Sequence, residues 1–216
     1  MNTQNIITIR FSGDSGDGIQ VLGVQIANSF AFFGNDIKTY STFPSEIRSP
    51  IGSLHGISSF QICFSNENIS STEDFLDILV ALNPAALKLN FLDLKIGGIL
   101  IVDIDRFTEK DFIRAGYTFN PLLDSNIDNF KVIKISITNI VKQVLKNTLL
   151  SNSKILKTKN MFVMGIVCWL YDKQYFFINN WIDKKFLDIN ISDANKKVLL
   201  EGFIYYFTFE MHISQI

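Results

Sequence analysis

The chain has 216 residues, 47% of them hydrophobic and 19% charged, with a formal net charge of -1, which suits one substantial core and one compact α/β unit. A near-neutral chain with scattered lysines carries no basic field to attract nucleic acid. Cys63 and Cys168 are the only two cysteines, too few for an iron-sulfur cluster or a structural zinc site. Each sits inside an apolar pattern and reads as a small buried residue, and a disulfide is not expected in the cytosol.

Residues 1–4 are polar and lead straight into an alternating run, without the head and apolar stretch of a signal peptide, so a cytoplasmic location is expected. The longest apolar stretches, such as 162–170, fall far short of the roughly 20 residues that cross a bilayer.

Residues 6–11 are β-rich and run into Gly13-Asp14-Ser15-Gly16-Asp17-Gly18, after which Ile19, Leu22, Val24, Ile26 and Phe30 recur at helical spacing. The order is strand, glycine loop, helix. Gly34-Asn35 stops the helix, and 36–42 forms a second strand. The segment 44–52, bounded by Pro44 and Pro50, is a surface loop. His55 begins a strand over 55–64 whose alternation marks a half-buried surface, whereas 75–82 and 99–104 are continuous apolar runs typical of covered parallel strands. Between those two runs, 84–94 is helical and Gly97-Gly98 closes it. A further strand at 132–137 leads to Thr138, which caps a helix over 140–149.

From Asn160 onward the pattern changes to helices at 161–171, 175–187 and 192–209, the last capped by Ser192. The expected fold is α/β: a mostly parallel open sheet covered by helices on both faces, with a C-terminal helical layer. One domain over 1–216 is expected, with a sheet core at 1–155, integral helices at 156–210 and a tail at 211–216. Trp169, Trp181 and the phenylalanine-rich C-terminal helices read as core or subunit interface.

Three glycines in six residues between a strand and a helix let backbone approach a ligand, and the helix N-terminus directs free N–H groups at an anion. A phosphate is the natural guest; the bland alternative is a tight turn and nothing more. The spacing Gly-x-x-Gly-x-Gly reverses the dinucleotide fingerprint, and the second strand ends in Ser41-Thr42 where an acid is required. Gly16-Asp17-Gly18 resembles the start of a thiamine diphosphate and magnesium motif, but no paired asparagine follows around 45–49. Gly13-Asp14-Ser15-Gly16 matches a serine-protease nucleophile segment by chance, with only His55 and His212 to serve as base. Asp14 and Asp17 would repel a phosphate unless they face away, cap the helix or hold a cation.

The run from Phe11 to Gln20, then Phe33-Gly34-Asn35-Asp36, then Phe43-Pro44-Ser45-Glu46-Ile47-Arg48-Ser49-Pro50, resembles the gamma domain of 2-oxoacid:ferredoxin oxidoreductases, in the form that begins the fused alpha subunit of the 2-oxoglutarate type. His55 to Gln61, Lys159-Asn160-Met161 with Gly165, and Asn195 with Gly202-Phe203 extend the resemblance over nearly the whole chain. It is strongest over 6–64 and diffuse between about 105 and 155.

The resemblance implies a part of an enzyme that oxidatively decarboxylates a 2-oxoacid and passes the acyl group to coenzyme A. Thiamine diphosphate, magnesium and iron-sulfur clusters then belong to alpha and beta partner subunits, with ferredoxin as the electron acceptor. No catalytic or metal-ligating residue is expected on this chain. The resemblance puts Gly13, Ser15, Gly16, Gly18, Arg48 and Ser49 at the coenzyme, and Asn160 can hydrogen-bond its adenine or ribose. Arg48 can equally pair with Glu46 or Asp17, and Asn160 can equally cap its helix. The fused subunits continue into a second domain, whereas this sequence stops at Ile216, which suggests a separate gamma subunit or a truncated copy. Rival readings are a non-catalytic assembly module and a stand-alone dinucleotide-binding reductase.

Overall fold

The computed structural model describes residues 6–46, 49–70, 74–171 and 176–213. These fall into two compact units, one up to Ser136 and one from Ile137.

The first unit is built on a six-stranded sheet. Its chain order is β1 (Ile7–Asp14), α1 (Ile19–Phe32), β2 (Asp36–Thr42), β3 (Ile57–Ser65), β4 (Leu76–Ala81), α2 (Pro84–Asn90), β5 (Leu94–Asp103), α3 (Glu109–Arg114) and β6 (Lys131–Ile135). The spatial order is β2-β3-β1-β4-β5-β6. β1, β4, β5 and β6 run parallel, while β3 is antiparallel to both β1 and β2. The expected mostly parallel α/β sheet is borne out.

Side chains alternate across a strand, so the register assigns each face. Phe11 and Phe60 are cross-strand partners on one face, and a Cβ on Gly23 of α1 would run into the Phe60 ring. Ser12 lies on the other face, where Asn90 of α2 donates a 3.0 Å hydrogen bond to its hydroxyl. Helices therefore cover both faces, and β1 is central and buried from Phe11 to Asp14.

Several local expectations are corrected. The strand read as 55–64 starts at Ile57 and is buried at every position. Its polar members Ser59, Gln61 and Cys63 stand opposite Ser12, Arg10 and Thr8 of β1, so their alternation marks a polar seam between strands rather than solvent. His55 does not begin that strand; it lies exposed in the 3-10 turn Leu54–Gly56. Gly97-Gly98 does not close a helix, since α2 ends at Asn90, Phe91–Asp93 forms a 3-10 turn, and the glycines lie inside β5. There the register slips between the Leu76/Leu94 and Ile78/Ile99 pairs, and a Cβ on Gly98 would come within 2.7 Å of the Lys95 carbonyl oxygen.

The second unit is helical: α4 (Ile137–Val144), α5 (Asn152–Leu156), α6 (Lys159–Leu170), α7 (Phe176–Lys185) and α8 (Ile189–Ile213). Thr138 lies inside the first turn of α4 and is not its cap. Ser192 likewise sits inside α8, where its hydroxyl donates to Asp183 at 2.7 Å. The start of α8 is instead tied by Asp188, whose carboxylate accepts from the Asn190 N–H at 3.0 Å. Its carbonyl accepts from Ile191 and Ser192.

α6 is buried from Lys159 to Cys168. Its Gly165 meets α8 backbone to backbone: a Cβ there would overlap the Leu199 carbonyl oxygen and lie 2.6 Å from the Phe203 nitrogen. Both cysteines are free and buried, as expected. Among the described residues no helix is long and apolar enough to cross a membrane, and no cluster of ligands fit for a metal ion occurs.

Candidate functional site

In a parallel sheet, ligand sites form beyond the carboxyl ends of strands where successive crossovers depart to opposite sides. β1 sends its crossover toward β2 on one flank, and β4 sends its own toward β5 on the other. The glycine turn lies at that position. Gly13 and Asp14 close β1, Ser15–Asp17 forms a 3-10 turn, and Gly18 starts α1 with φ +74°. That left-handed conformation is open to glycine at little cost.

Ser15 and Gly16 are exposed, and a Cβ on Gly16 would meet nothing within 4 Å. The turn is thus open to a ligand above the unsatisfied first N–H groups of α1. Gln20 fixes that helix start from the side: its Nε2 donates to the Ser58 hydroxyl at 2.8 Å and to the Ser59 carbonyl at 3.0 Å.

The two acids of the turn do not project into this opening together. Asp14 is buried, and its Oδ1 accepts from the Gly52 N–H at 2.8 Å. Its Oδ2 has no hydrogen-bond partner and lies 3.5 Å from Nη2 of Arg106. Burial raises its pKa above the ordinary carboxylate value, with Asp17 adding to the rise, while Gly52, Arg106 and Asn83 oppose it. Asp17 folds back toward Gly13, where a Cβ would lie 3.2 Å from its Oδ2.

Asn83 is the N-cap of α2 and is 1% exposed. Its Oδ1 accepts from the Ala86 N–H at 2.8 Å, whereas its Nδ2 has no hydrogen-bond partner. The ends of β1, β4 and β5 therefore bring Asp14, Asn83 and Arg106 together beneath the turn. Sequence reading passed over Asn83, Arg106 and Gly52. Asn83-Pro84 carried a usable signal, a capping residue before a proline at the end of an apolar strand.

Of the residues expected at the coenzyme, Gly13, Ser15, Gly16 and Gly18 share the one turn. Ser49 belongs to the loop that Gly52 ties to Asp14, but its hydroxyl is engaged with Glu46, at 3.1 Å from Oε2 and 3.3 Å from the carbonyl oxygen. Arg48 lies outside the described residues. Asn160 is in the second unit, buried one residue into α6. Thr158 holds the cap position there, so the capping alternative for Asn160 falls.

An open glycine turn over a helix N-terminus, at the crossover reversal of a mostly parallel sheet, defines an α/β domain of open-sheet type with an accessible turn at its switch point. The chain belongs to the pyruvate ferredoxin/flavodoxin oxidoreductase family, whose model matches residues 8–205. It is 38% identical over 200 residues to the 2-oxoglutarate oxidoreductase subunit KorA of Mycobacterium tuberculosis, covering 92% of this chain and 31% of that relative. The chain thus spans about a third of the length of that curated relative.

Solved structures share the fold. The 2-oxoglutarate:ferredoxin oxidoreductase of Magnetococcus marinus, solved with 2-oxoglutarate, coenzyme A and succinyl-CoA bound, superposes with a TM-score of 0.69 at 24% identity. That match covers 91% of this chain and 30% of that one. The gamma subunit of a keto/oxoacid ferredoxin oxidoreductase from Geobacter sulfurreducens gives 0.61 at 21% identity, covering 91% and 96%. The pyruvate oxidoreductase subunit PORC of Thermotoga maritima gives 0.58 at 18%, covering 92% and 95%.

Proposed function

We propose that this chain is the coenzyme-A-side domain of a 2-oxoacid:ferredoxin oxidoreductase of the cytoplasm, working with alpha and beta partners that hold thiamine diphosphate, magnesium and iron-sulfur clusters. Electrons leave through those partners to ferredoxin. The observation that carries the reading is the open turn, with Ser15 and Gly16 exposed while the Asp14 carboxylate is drawn inward to Gly52. An anion can approach the backbone there without meeting that charge.

When bound, coenzyme A supplies the thiol that accepts the acyl group. This chain's share is positional: N–H groups of the turn and of the α1 start, with the Ser15 hydroxyl, hold the phosphate portion. Arg48 and Ser49 are assigned to the same coenzyme by resemblance. The 2-oxoglutarate preference is supported by the Mycobacterium tuberculosis relative and by the Glu46-to-Pro50 segment.

The test is the KM for coenzyme A of the assembled oxidoreductase carrying Gly16→Val or Arg48→Ala. Gly16 faces open space, so a valine adds bulk to the ligand's path and not to the protein's own packing. A rise in KM for both variants supports the reading, and a KM equal to wild type in both refutes it.

One observation favours a second reading, an assembly module that binds no nucleotide. α1 carries no charged residue in 14 positions, yet Val21, Val24 and Phe32 on its outer side are exposed. An uncharged outer face bearing three large apolar side chains suits a partner's surface better than water. Co-purification with partner chains, without stabilisation by coenzyme A, would favour that module.

A further inference from the structure

We propose that Asp14 is a positioning residue, holding the 50–53 turn against the glycine turn as a carboxylate and thereby setting how tightly the glycine turn takes a phosphate. This rests on the coenzyme A reading above.

Asp14 precedes the 3-10 turn Ser15–Asp17 but makes no capping bond to it. Its side chain goes the other way, to a loop 38 residues further along the chain. The receiving turn is shaped for that bond. Ser53 donates to the Pro50 carbonyl at 3.0 Å, and Gly52 between them has φ +81°, the conformation that the third residue of such a turn requires and glycine supplies. The Gly52 N–H is thereby aimed at Asp14. A second tie is weaker: Arg114 donates to the Ile51 carbonyl at 3.5 Å.

Beneath this clasp, Asp14 Oδ2 and Asn83 Nδ2 are both buried, the carboxamide facing the carboxylate without the geometry of a full hydrogen bond. Arg106 at 3.5 Å is the only cation beside the carboxylate among the described residues. The charged groups that act on Asp14 are Asp17 from the glycine turn and Arg106 from the segment after β5. The 50–53 turn offers it a backbone N–H, and the start of α2 a carboxamide.

Burial outweighs the favourable partners, so the folded pKa stands above the unfolded one. The sign follows. Asp14 favours the fold most when protonated, and that contribution is lost as pH rises through its raised pKa. Above that pKa the carboxylate therefore works against global stability while making a stronger bond to Gly52 than a neutral acceptor would. A costly charge that tethers one loop is the signature of a site arranged for function rather than for stability.

The experiment measures amide exchange of the complete chain by nuclear magnetic resonance, with Asp14→Asn and Arg106→Leu as variants. In Asp14→Asn, protection of the Gly52 amide is expected to fall about tenfold, as a charge-assisted bond becomes a neutral one, while the melting temperature does not fall. In wild type the same protection is expected to weaken as pH drops through the raised Asp14 pKa, and Arg106→Leu should move that loss to higher pH. Unchanged Gly52 protection in Asp14→Asn, or loss shared with the β1 amides through a lower melting temperature, overturns the proposal.

In the assembled oxidoreductase, Asp14→Asn should raise the KM for coenzyme A several-fold, with most of the loss in KM rather than kcat. Gly16→Val separates the two claims. If Gly16→Val raises KM and Asp14→Asn does not, the positioning role fails and the coenzyme reading stands. If neither variant moves KM, the positioning role fails, and the coenzyme reading fails with it once Arg48→Ala is also without effect.

Discussion

Replacing Gly202 by alanine should unfold the second unit at a markedly lower temperature, although alanine is the better helix former. A Cβ at Gly202 would overlap the Phe162 carbonyl oxygen and lie 2.8 Å from its carbonyl carbon. The obstacle is the backbone of α6, so no rotamer change can relieve it. The helices must part by a distance of the order of 1 Å, and a gap of that size forfeits about a quarter to a half of each dispersion contact. The contacts at stake belong to fully buried side chains, among them Phe162, Met164, Ile166, Val198 and Leu199. Overpacking a tight core costs about 1–3 kcal/mol, and a rigid backbone obstacle belongs at the upper end. The propensity gain of Gly→Ala returns about 1 kcal/mol, leaving a net loss of about 2 kcal/mol. For a chain of this size each kcal/mol lowers the midpoint by about 2–4 °C, so the melt should fall by at least about 4 °C. Circular dichroism during heating and the fluorescence of Trp169 on α6 both report it. Gly16→Ala is the control, because its Cβ meets nothing. A Gly202→Ala protein that melts at or above the wild-type temperature would refute the close crossing of α6 and α8.

Gly16→Val should leave the melting temperature within about 1 °C of wild type, as surface changes usually cost under about 0.5 kcal/mol, while raising the coenzyme A KM about tenfold or more. An unchanged KM refutes the ligand-facing role. Arg10→Met should destabilise the first unit by about 1–3 kcal/mol in urea titration, because it strands the buried acceptors of Gln61 and Asn90, while Asp93, nearly half exposed, turns to water. Arg10 reaches Gln61 at 2.6 Å and Asn90 at 3.0 Å, and it pairs with Asp93. A loss below about 0.5 kcal/mol, the range of ordinary surface substitutions, would contradict that network. Cys168 should resist a thiol reagent at pH 8 in the native protein and react on denaturation, since burial pushes its thiol up to about 12 and the thiolate is the reactive form. Rapid native labelling at Cys168, located by peptide mass, would contradict its burial.

The glycine turn was legible because strand, turn and helix are contiguous: 13–18 carries its own spacing, and α1 announces its start by periodicity. The strand at Asp36–Thr42 was equally local. What sits beneath the turn was not legible, because Asp14, Gly52, Asn83 and Arg106 come from four separate segments and meet only when β1, β4 and β5 are side by side. The misplaced caps have a common cause. Thr138 and Ser192 are good capping residues by type, but the helices begin at Ile137 and Ile189, ahead of them. Ser192 is bound to Asp183 instead, a contact to the preceding helix that no local rule anticipates.

The failure at β3 is informative about the site itself. Alternation along a strand reports two unlike faces, and solvent is only one way to make a face polar. Here Thr8, Arg10, Ser12 and Asp14 of β1 share the face that Ser59, Gln61 and Cys63 of β3 share. Asn90 donates from above to the Ser12 hydroxyl at 3.0 Å and to the Ala86 carbonyl at 2.7 Å. Buried polar groups of this kind are tolerable when each finds partners, and along most of the seam they do. Pairing lapses only at its upper end, where Asp14 Oδ2 and Asn83 Nδ2 lack hydrogen bonds. That end coincides with the open glycine turn. Alternation in β3 thus reported a neighbouring polar strand, and the charged end of the seam, Asp14, is balanced by the Gly52 N–H and by Arg106 rather than by solvent.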